Sequence, residues 1–146
     1  MKSTTSKGIP MRLQLALNVN DLAESIDFYE KMFDTPVAKV RDGYANFEVV
    51  NPPLKLVLFE SPGEGGSLNH LGVEVEQAEQ VEAAERRIAD TGLDTTGVDD
   101  TLCCYAAKTE TWVHGPDTRW EWYVKTADAE QFENVVLTSG ENSCCS

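Results

Sequence analysis

Positive charge is scarce in this chain: 12 Lys and Arg stand against 25 Asp and Glu, for a formal net charge of -13. Such a field repels phosphate backbones and anionic lipid headgroups, so nucleic acid and membrane surfaces are excluded as expected partners. Long apolar runs are absent too, none approaching the ~18 residues of a transmembrane helix. Met1 to Pro10 is polar and lacks the apolar centre of a signal peptide, so the expected location is the cytoplasm. Cysteine is sparse and oddly placed, as two adjacent pairs, Cys103-Cys104 and Cys144-Cys145. A bridge between neighbours strains the peptide and closes almost no loop, and the cytoplasm would keep a pair-to-pair bridge reduced. Side by side, two thiols read better as a bidentate soft ligand. What remains is ample for a core: 146 residues with 41% hydrophobic content fit one ordered domain, not two and not a disordered chain.

The most informative feature that is present is an internal repeat. Leu13-Gln14-Leu15-Ala16-Leu17-Asn18-Val19 aligns with Asn69-His70-Leu71-Gly72-Val73-Glu74-Val75 at an offset of 56, and the same offset lays Asp34-Thr35-Pro36-Val37 on Asp90-Thr91-Gly92-Leu93. Each copy opens with a strand of period 2. Leu13, Leu15, Leu17 and Val19 face one way, and Gln14, Ala16 and Asn18 the other; Leu71, Val73 and Val75 likewise oppose His70, Gly72 and Glu74. An amphipathic helix follows each strand. Asp21 with Glu24 three residues on gives the first a capping-box spacing, and Leu22, Ile26, Tyr29 and Phe33 recur at helical intervals. The second runs from about Ala78 to Ala89 and stops before Thr91-Gly92.

Three shorter strands complete each copy. In the first they are expected near Ala38–Val40, Tyr44–Val50 and Leu54–Glu60. In the second they are expected near Thr95, from Cys104 to Lys108 or a little later, and over Trp120–Lys125. The predicted fold is α+β: two βαβββ modules forming a curled mixed β-sheet cup with helices outside. Residues 1–10 form a flexible segment, 11–126 the domain (module one about 11–60, module two about 68–126), and 127–146 an extension with a Cys-containing free tail. The leucine-rich faces belong under the helices and the opposite faces line the cup. By this parity Trp120, Trp122 and Val124 lie on the helix side and Glu121 in the cup.

The repeat, the opening strand and the Glu121 strand resemble the glyoxalase and bleomycin-resistance (vicinal-oxygen-chelate) superfamily. Within it, Gly43-Tyr44-Ala45-Asn46-Phe47, Pro52 to Leu58, Leu68 to Val75 and Cys103-Cys104-Tyr105 are similar to the non-haem iron lyases that cleave carbon–arsenic bonds of trivalent organoarsenicals, and to their cadmium-inducible relatives. The likeness covers about residues 11 to 126 and extends to the Cys pair in the tail. It implies one Fe(II) held by Gln14, His70 and Glu121, and O2 as co-substrate. Gln14 departs from the usual two-histidine, one-carboxylate set, although an amide is a known first ligand in the superfamily. A lone histidine at a strand start is more often an ordinary hydrogen-bonded residue; equivalence with Gln14 tips His70 toward a ligand. Glu60 stands in the first copy where Glu121 stands in the second if a five-residue gap is allowed; it is a candidate fourth ligand, against the expected surface place at its strand end. His114, before Gly115-Pro116, reads as a turn residue. Tyr44, Phe47, Tyr105 and Trp112 are candidates to line a pocket, against the commoner role of filling the core.

Trivalent arsenic is thiophilic, and Cys103 with Cys104 would chelate it at less entropic cost than two separate ligands. Consecutive strand residues point to opposite faces, so joint chelation requires a loop or bulge there, for which Gly97 to Thr101 is the expected approach. The resulting expectation is an Fe(II)- and O2-dependent carbon–arsenic lyase releasing inorganic arsenite, as monomer or homodimer. Two competitors stand beside it. A glyoxalase I-like isomerase would use the metal residues and leave the cysteines idle, and a resistance protein that sequesters arsenic, cadmium or a drug would need the cysteines but no oxygen.

Overall fold

The computed structural model describes residues 11–103, 105–128 and 135–136, the side chains of Cys103, Val135 and Val136 excepted. The element order is β1 (Arg12–Val19), α1 (Leu22–Phe33), β2 (Lys39–Arg41), β3 (Tyr44–Val49), β4 (Leu54–Glu60), β5 (Leu68–Glu74), α2 (Ala78–Ala89), β6 (Asp99–Cys103), β7 (Ala106–His114), β8 (Arg119–Asp128) and β9 (Val135–Val136). This is βαβββ twice, an α+β fold, with a short strand added. The chain divides into two compact units, Arg12–Leu71 and Gly72 onward, with β5 passing from one to the other.

In the first unit the strands are ordered β2-β3-β4-β1, with β1 parallel to β4 and the others antiparallel. Alternation along them sorts the side chains. Ala45, Phe47, Val49, Leu56 and Leu58 form a buried core with Val19 and Leu22, against which Leu15, Leu17, Ile26, Tyr29 and Phe33 pack. Fully burying a side chain such as Phe47 is worth roughly 1.5–3 kcal/mol. The helix over this core starts where Asp21 Oδ1 accepts the Glu24 amide at 2.9 Å and ends at Asp34, which takes the left-handed conformation (φ 50). Leu13, expected under the helix, is instead 57% exposed at the start of its strand. The opposite face is polar yet buried: Gln14, Asn18, Asn46 and Lys55 are all at least nine-tenths covered.

The turn after β4 fixes where β5 begins. Asn18 N donates to Ser67 O and Gly66 N to Asn18 O, both at 2.9 Å. Asn20 Oδ1 accepts from Gly63 N and Gly65 N at 2.8 and 2.9 Å. A Cβ on Gly65 would stand 2.5 Å from the Asn20 amide, so a larger residue there would have to push that side chain aside.

In the second unit the order is β5-β8-β7-β6-β9, and β6–β7, β7–β8 and β6–β9 are antiparallel. Val73, Val75, Val81 and Val124 form its core, joined by Ala78, Val98 and Trp122. Trp122 and Val124 thus lie on the helix side as their parity requires. One expected strand is displaced. Thr95 makes only an isolated bridge to Val113, and β6 falls at Asp99–Cys103. Next to that bridge the Thr96 hydroxyl accepts the Trp112 amide at 3.0 Å, and Gly97 turns the chain in the left-handed region (φ 80), which ends that pairing. Asp99 to Thr101, expected as part of a loop, are therefore paired in a strand. Asp100 Oδ1 accepts from its cross-strand partner Thr109 Oγ1 at 2.7 Å, so a side chain suited to turns is satisfied within the ladder. Among the described residues no helix is long and apolar enough to cross a membrane.

Candidate functional site

The repeat places Gln14 and His70 at equivalent positions of β1 and β5, and the first unit brings them together. Their Nε2 atoms lie 3.0 Å apart, with Gln14 4% and His70 3% exposed. The imidazole is oriented through a chain of amides. Asn69 Nδ2 donates to Asn18 Oδ1 at 3.2 Å, which leaves Asn69 Oδ1 as the acceptor facing His70 Nδ1 at 2.8 Å. Nδ1 therefore carries the proton, and in the neutral ring Nε2 presents its lone pair toward the Gln14 amide. Asn18 is itself held, donating to Ser67 Oγ at 2.9 Å. The Phe59 ring stands 6.4 Å from the His70 ring and 5.6 Å from that of Tyr44, walling this face with aromatics.

Glu121 belongs to the second unit, fully buried on β8 opposite Trp112 of β7. Lys108 Nζ meets its Oε2 at 2.9 Å, and Glu110 hydrogen-bonds to it. Glu110 is also fully buried, and its Oε2 accepts the Trp112 indole N–H at 3.0 Å. Burial first, then the Glu121 charge, push the Glu110 carboxyl up to about 9, only partly opposed by Lys108. Glu110 thus keeps its proton through neutral pH, beside Glu121 and Lys108. Arg119 lies over the Trp112 ring, 4.7 Å from its centroid.

The donor chemistry fits a divalent cation. Two ligand atoms about 2.1 Å from one ion and at right angles are about 3 Å apart, which is the Gln14–His70 separation; a half-turn of the amide presents its oxygen there. Hydrogen bonding of the remote imidazole nitrogen is the usual way such a ligand is oriented. Among the described residues no group of three or more His, Cys, Asp and Glu side chains is placed to hold a metal. A set in which glutamine supplies one donor contains only two residues of those types.

The other candidates separate cleanly. Glu60 is exposed, and its Oε2 accepts the Leu22 amide at 2.9 Å, capping α1. His114 ends β7 with an exposed ring 3.5 Å from Asp94. Phe47 lies in the core beneath α1, whereas Trp112 lies beside Glu110. Tyr105 is buried with a left-handed backbone (φ 64) just before β7. Cys103 closes β6 opposite Ala106; Cys104, Cys144 and Cys145 lie outside the described residues. The sequence reading missed Asn18, Asn69, Lys108 and Glu110. Parity pointed to the last two, since Lys108, Glu110 and Trp112 alternate on one face of β7.

Residues 12–119 match the model of the Glyoxalase/Bleomycin resistance protein/Dioxygenase superfamily. The chain is 50% identical to the Trivalent organoarsenical cleaving enzyme of Thermomonospora curvata, over 92% of this chain and 87% of that protein. It is 48% identical to Cadmium-induced protein CadI of Mycobacterium bovis, over 92% and 91% respectively. Among solved structures, a variant of Homoprotocatechuate 2,3-Dioxygenase from B.fuscum superposes with a TM-score of 0.61 at 22% identity, covering 84% of this chain and 34% of that one, a likeness of fold. The chain belongs to the glyoxalase, bleomycin-resistance and dioxygenase superfamily.

Proposed function

We propose that this protein is a carbon–arsenic lyase that degrades trivalent organoarsenicals, methyl- or aryl-arsenite, to inorganic arsenite, using Fe(II) and O2 in the cytoplasm. The observation that carries this reading is the half-identity, along nearly the whole chain, to an enzyme named for cleaving such compounds. The buried Gln14–His70 pair supports it, because two neutral donors at that spacing suit a divalent ion.

In this reading Gln14, His70 and Glu121 hold the metal: two neutral donors and one carboxylate, with positions left over. Iron, when bound, supplies the activation of O2 that a protein side chain cannot. The chain's own residues do the rest. Cys103 and Cys104 bind arsenic as thiolates, which the reducing cytoplasm keeps available. Asn69 keeps the proton on Nδ1 of His70 so that Nε2 stays a ligand. The aromatic rings of Phe59 and Trp112 exclude water on their respective faces. With methylarsenite the atoms balance as one arsenical and one dioxygen giving one arsenite and one formaldehyde, as the carbon–arsenic bond breaks.

The test is arsenite release from methylarsenite by purified protein with Fe(II) in air, against the same mixture under nitrogen and without iron. Release only when all components are present is the expected result. Binding of methylarsenite without release would refute the lyase and favour the sequestering protein.

A further inference from the structure

Lys108 is 8% exposed at its side chain, a costly place for an ammonium group. Its backbone stands opposite Lys125, four residues along β8 from Glu121, which is roughly 13 Å of strand. The Lys108 and Glu121 side chains span this together, the lysine stretching past the Tyr123 ring, with Nζ 4.9 Å from the ring centroid, to end 2.9 Å from Glu121 Oε2. A lysine gives up the freedom of its stem and its hydration in this way only for strong compensation. The compensation is a fully buried carboxylate that itself needs a cation.

We propose that Lys108 is the stand-in cation of Glu121 in the metal-free protein, and that metal loading displaces its ammonium. The inference rests on the assignment of Glu121 as a metal ligand. A divalent ion and an ammonium repel each other on one carboxylate, so the metal-ready state is the one in which Lys108 has withdrawn. A receiving group is at hand. Glu110 lies two residues along β7, and its Oε1 is buried with no hydrogen-bond partner. Lys108 thus acts as a positioning residue that keeps Glu121 folded inward without metal, and it tunes metal affinity by competing for the same oxygen.

The experiment compares Co(II) affinity, by competition with a chromophoric chelator, for the parent protein and for Lys108→Met, Lys108→Arg and His70→Ala. Removing a competitor removes the penalty on the metal-ready state, so Lys108→Met should bind Co(II) more tightly by on the order of tenfold, despite a lower melting temperature without metal. Lys108→Arg keeps the charge and should stay near the parent. A merely structural role predicts the opposite direction, since a loosened site binds less. In the parent protein, the NMR signals of the Lys108 ammonium should shift on adding one equivalent of Zn(II), a readout that needs no variant to fold. Unchanged or weaker Co(II) binding by folded Lys108→Met, or an unmoved Lys108 signal in Zn(II)-loaded protein, would overturn the proposal alone. Parent-like affinity in His70→Ala would overturn the ligand set, and this inference with it.

Discussion

Glu110 offers the sharpest test of the electrostatics of the second unit. Its carboxyl is pushed up to about 9 from an ordinary 4.5, chiefly by burial and then by the Glu121 charge. In the unfolded chain this group ionises near its ordinary value, whereas the folded protein keeps the proton until much higher pH. Between those values the folded state binds one more proton than the unfolded state. Its stability therefore falls as pH rises, by at most about 1.4 kcal/mol per pH unit from this group. The penalty is absent below about 4.5, grows through neutrality and levels off above about 9. At pH 7 it reaches about 3 kcal/mol as an upper bound, from the interval between 4.5 and 7. Glu110→Gln is the clean perturbation: the amide is close to the carboxyl in shape, keeps an oxygen for the Trp112 indole and has no proton to lose. In metal-free protein with a chelator present, urea unfolding from pH 5.5 to 8.5 should show the variant gaining on the parent as pH rises. A stability difference that is constant over this range would refute the reasoning, because a constant offset reports packing and not a proton.

Further outcomes follow from the proposed site. His70→Ala and Glu121→Ala should each abolish measurable Fe(II) binding in anaerobic titrations, while Gln14→Ala, which removes a neutral donor, should weaken it less. Asn69→Ala frees the His70 tautomer and should lower metal affinity roughly 10–100-fold with little change in melting temperature, since it orients a ligand without being one. The double variant Cys103→Ser, Cys104→Ser should keep iron and lose methylarsenite cleavage, and parent-rate cleavage would remove the cysteines from the mechanism. Asp21→Ala should cost about 1 kcal/mol in chemical denaturation through loss of the α1 cap.

Much of the fold was legible because it rests on alternation and on caps. The constant offset between Gln14 and His70, the Asp21 cap and the parity of Trp122 and Val124 each correspond to a contact in the structure. Legibility failed where a strand carries polar residues inward. Asp99 and Thr101 of β6 and Lys108 and Glu110 of β7 are buried, so hydropathy gives no strand signal there, and Asp99-Asp100 reads as a turn. The same inversion hid the partners of Glu121. A lysine and a second glutamate in one strand look like a solvated face until the register shows which face they share. Asn69 was passed over for another reason. Its function lies in the direction of one amide oxygen, which depends on Asn18, 51 residues earlier in the chain.

The two units solve the burial of polar groups differently, and the difference bears on what the proposed site requires. In the first, Asn18, Asn69, His70 and Gln14 form a neutral hydrogen-bonded chain, each member satisfying the next. Such a network is stable as it stands, and a half-turn of the Gln14 amide is the one rearrangement it needs to present an oxygen beside His70 Nε2. In the second, Glu121, Glu110 and Lys108 form a charged group that is neutral only in sum, with Glu110 Oε1 and Thr101 Oγ1 buried and without hydrogen-bond partners. Unsatisfied buried atoms cost on the order of 1–3 kcal/mol each; the first unit holds one as well, Asn46 Oδ1, and the second adds the charged group to that cost. A divalent ion on Gln14, His70 and Glu121 would receive one formal negative charge from the protein and keep one positive charge. That surplus attracts anionic or polarizable partners and repels an ammonium, so a substrate carried on cysteine thiolates and a displaced Lys108 are demands of the same charge balance.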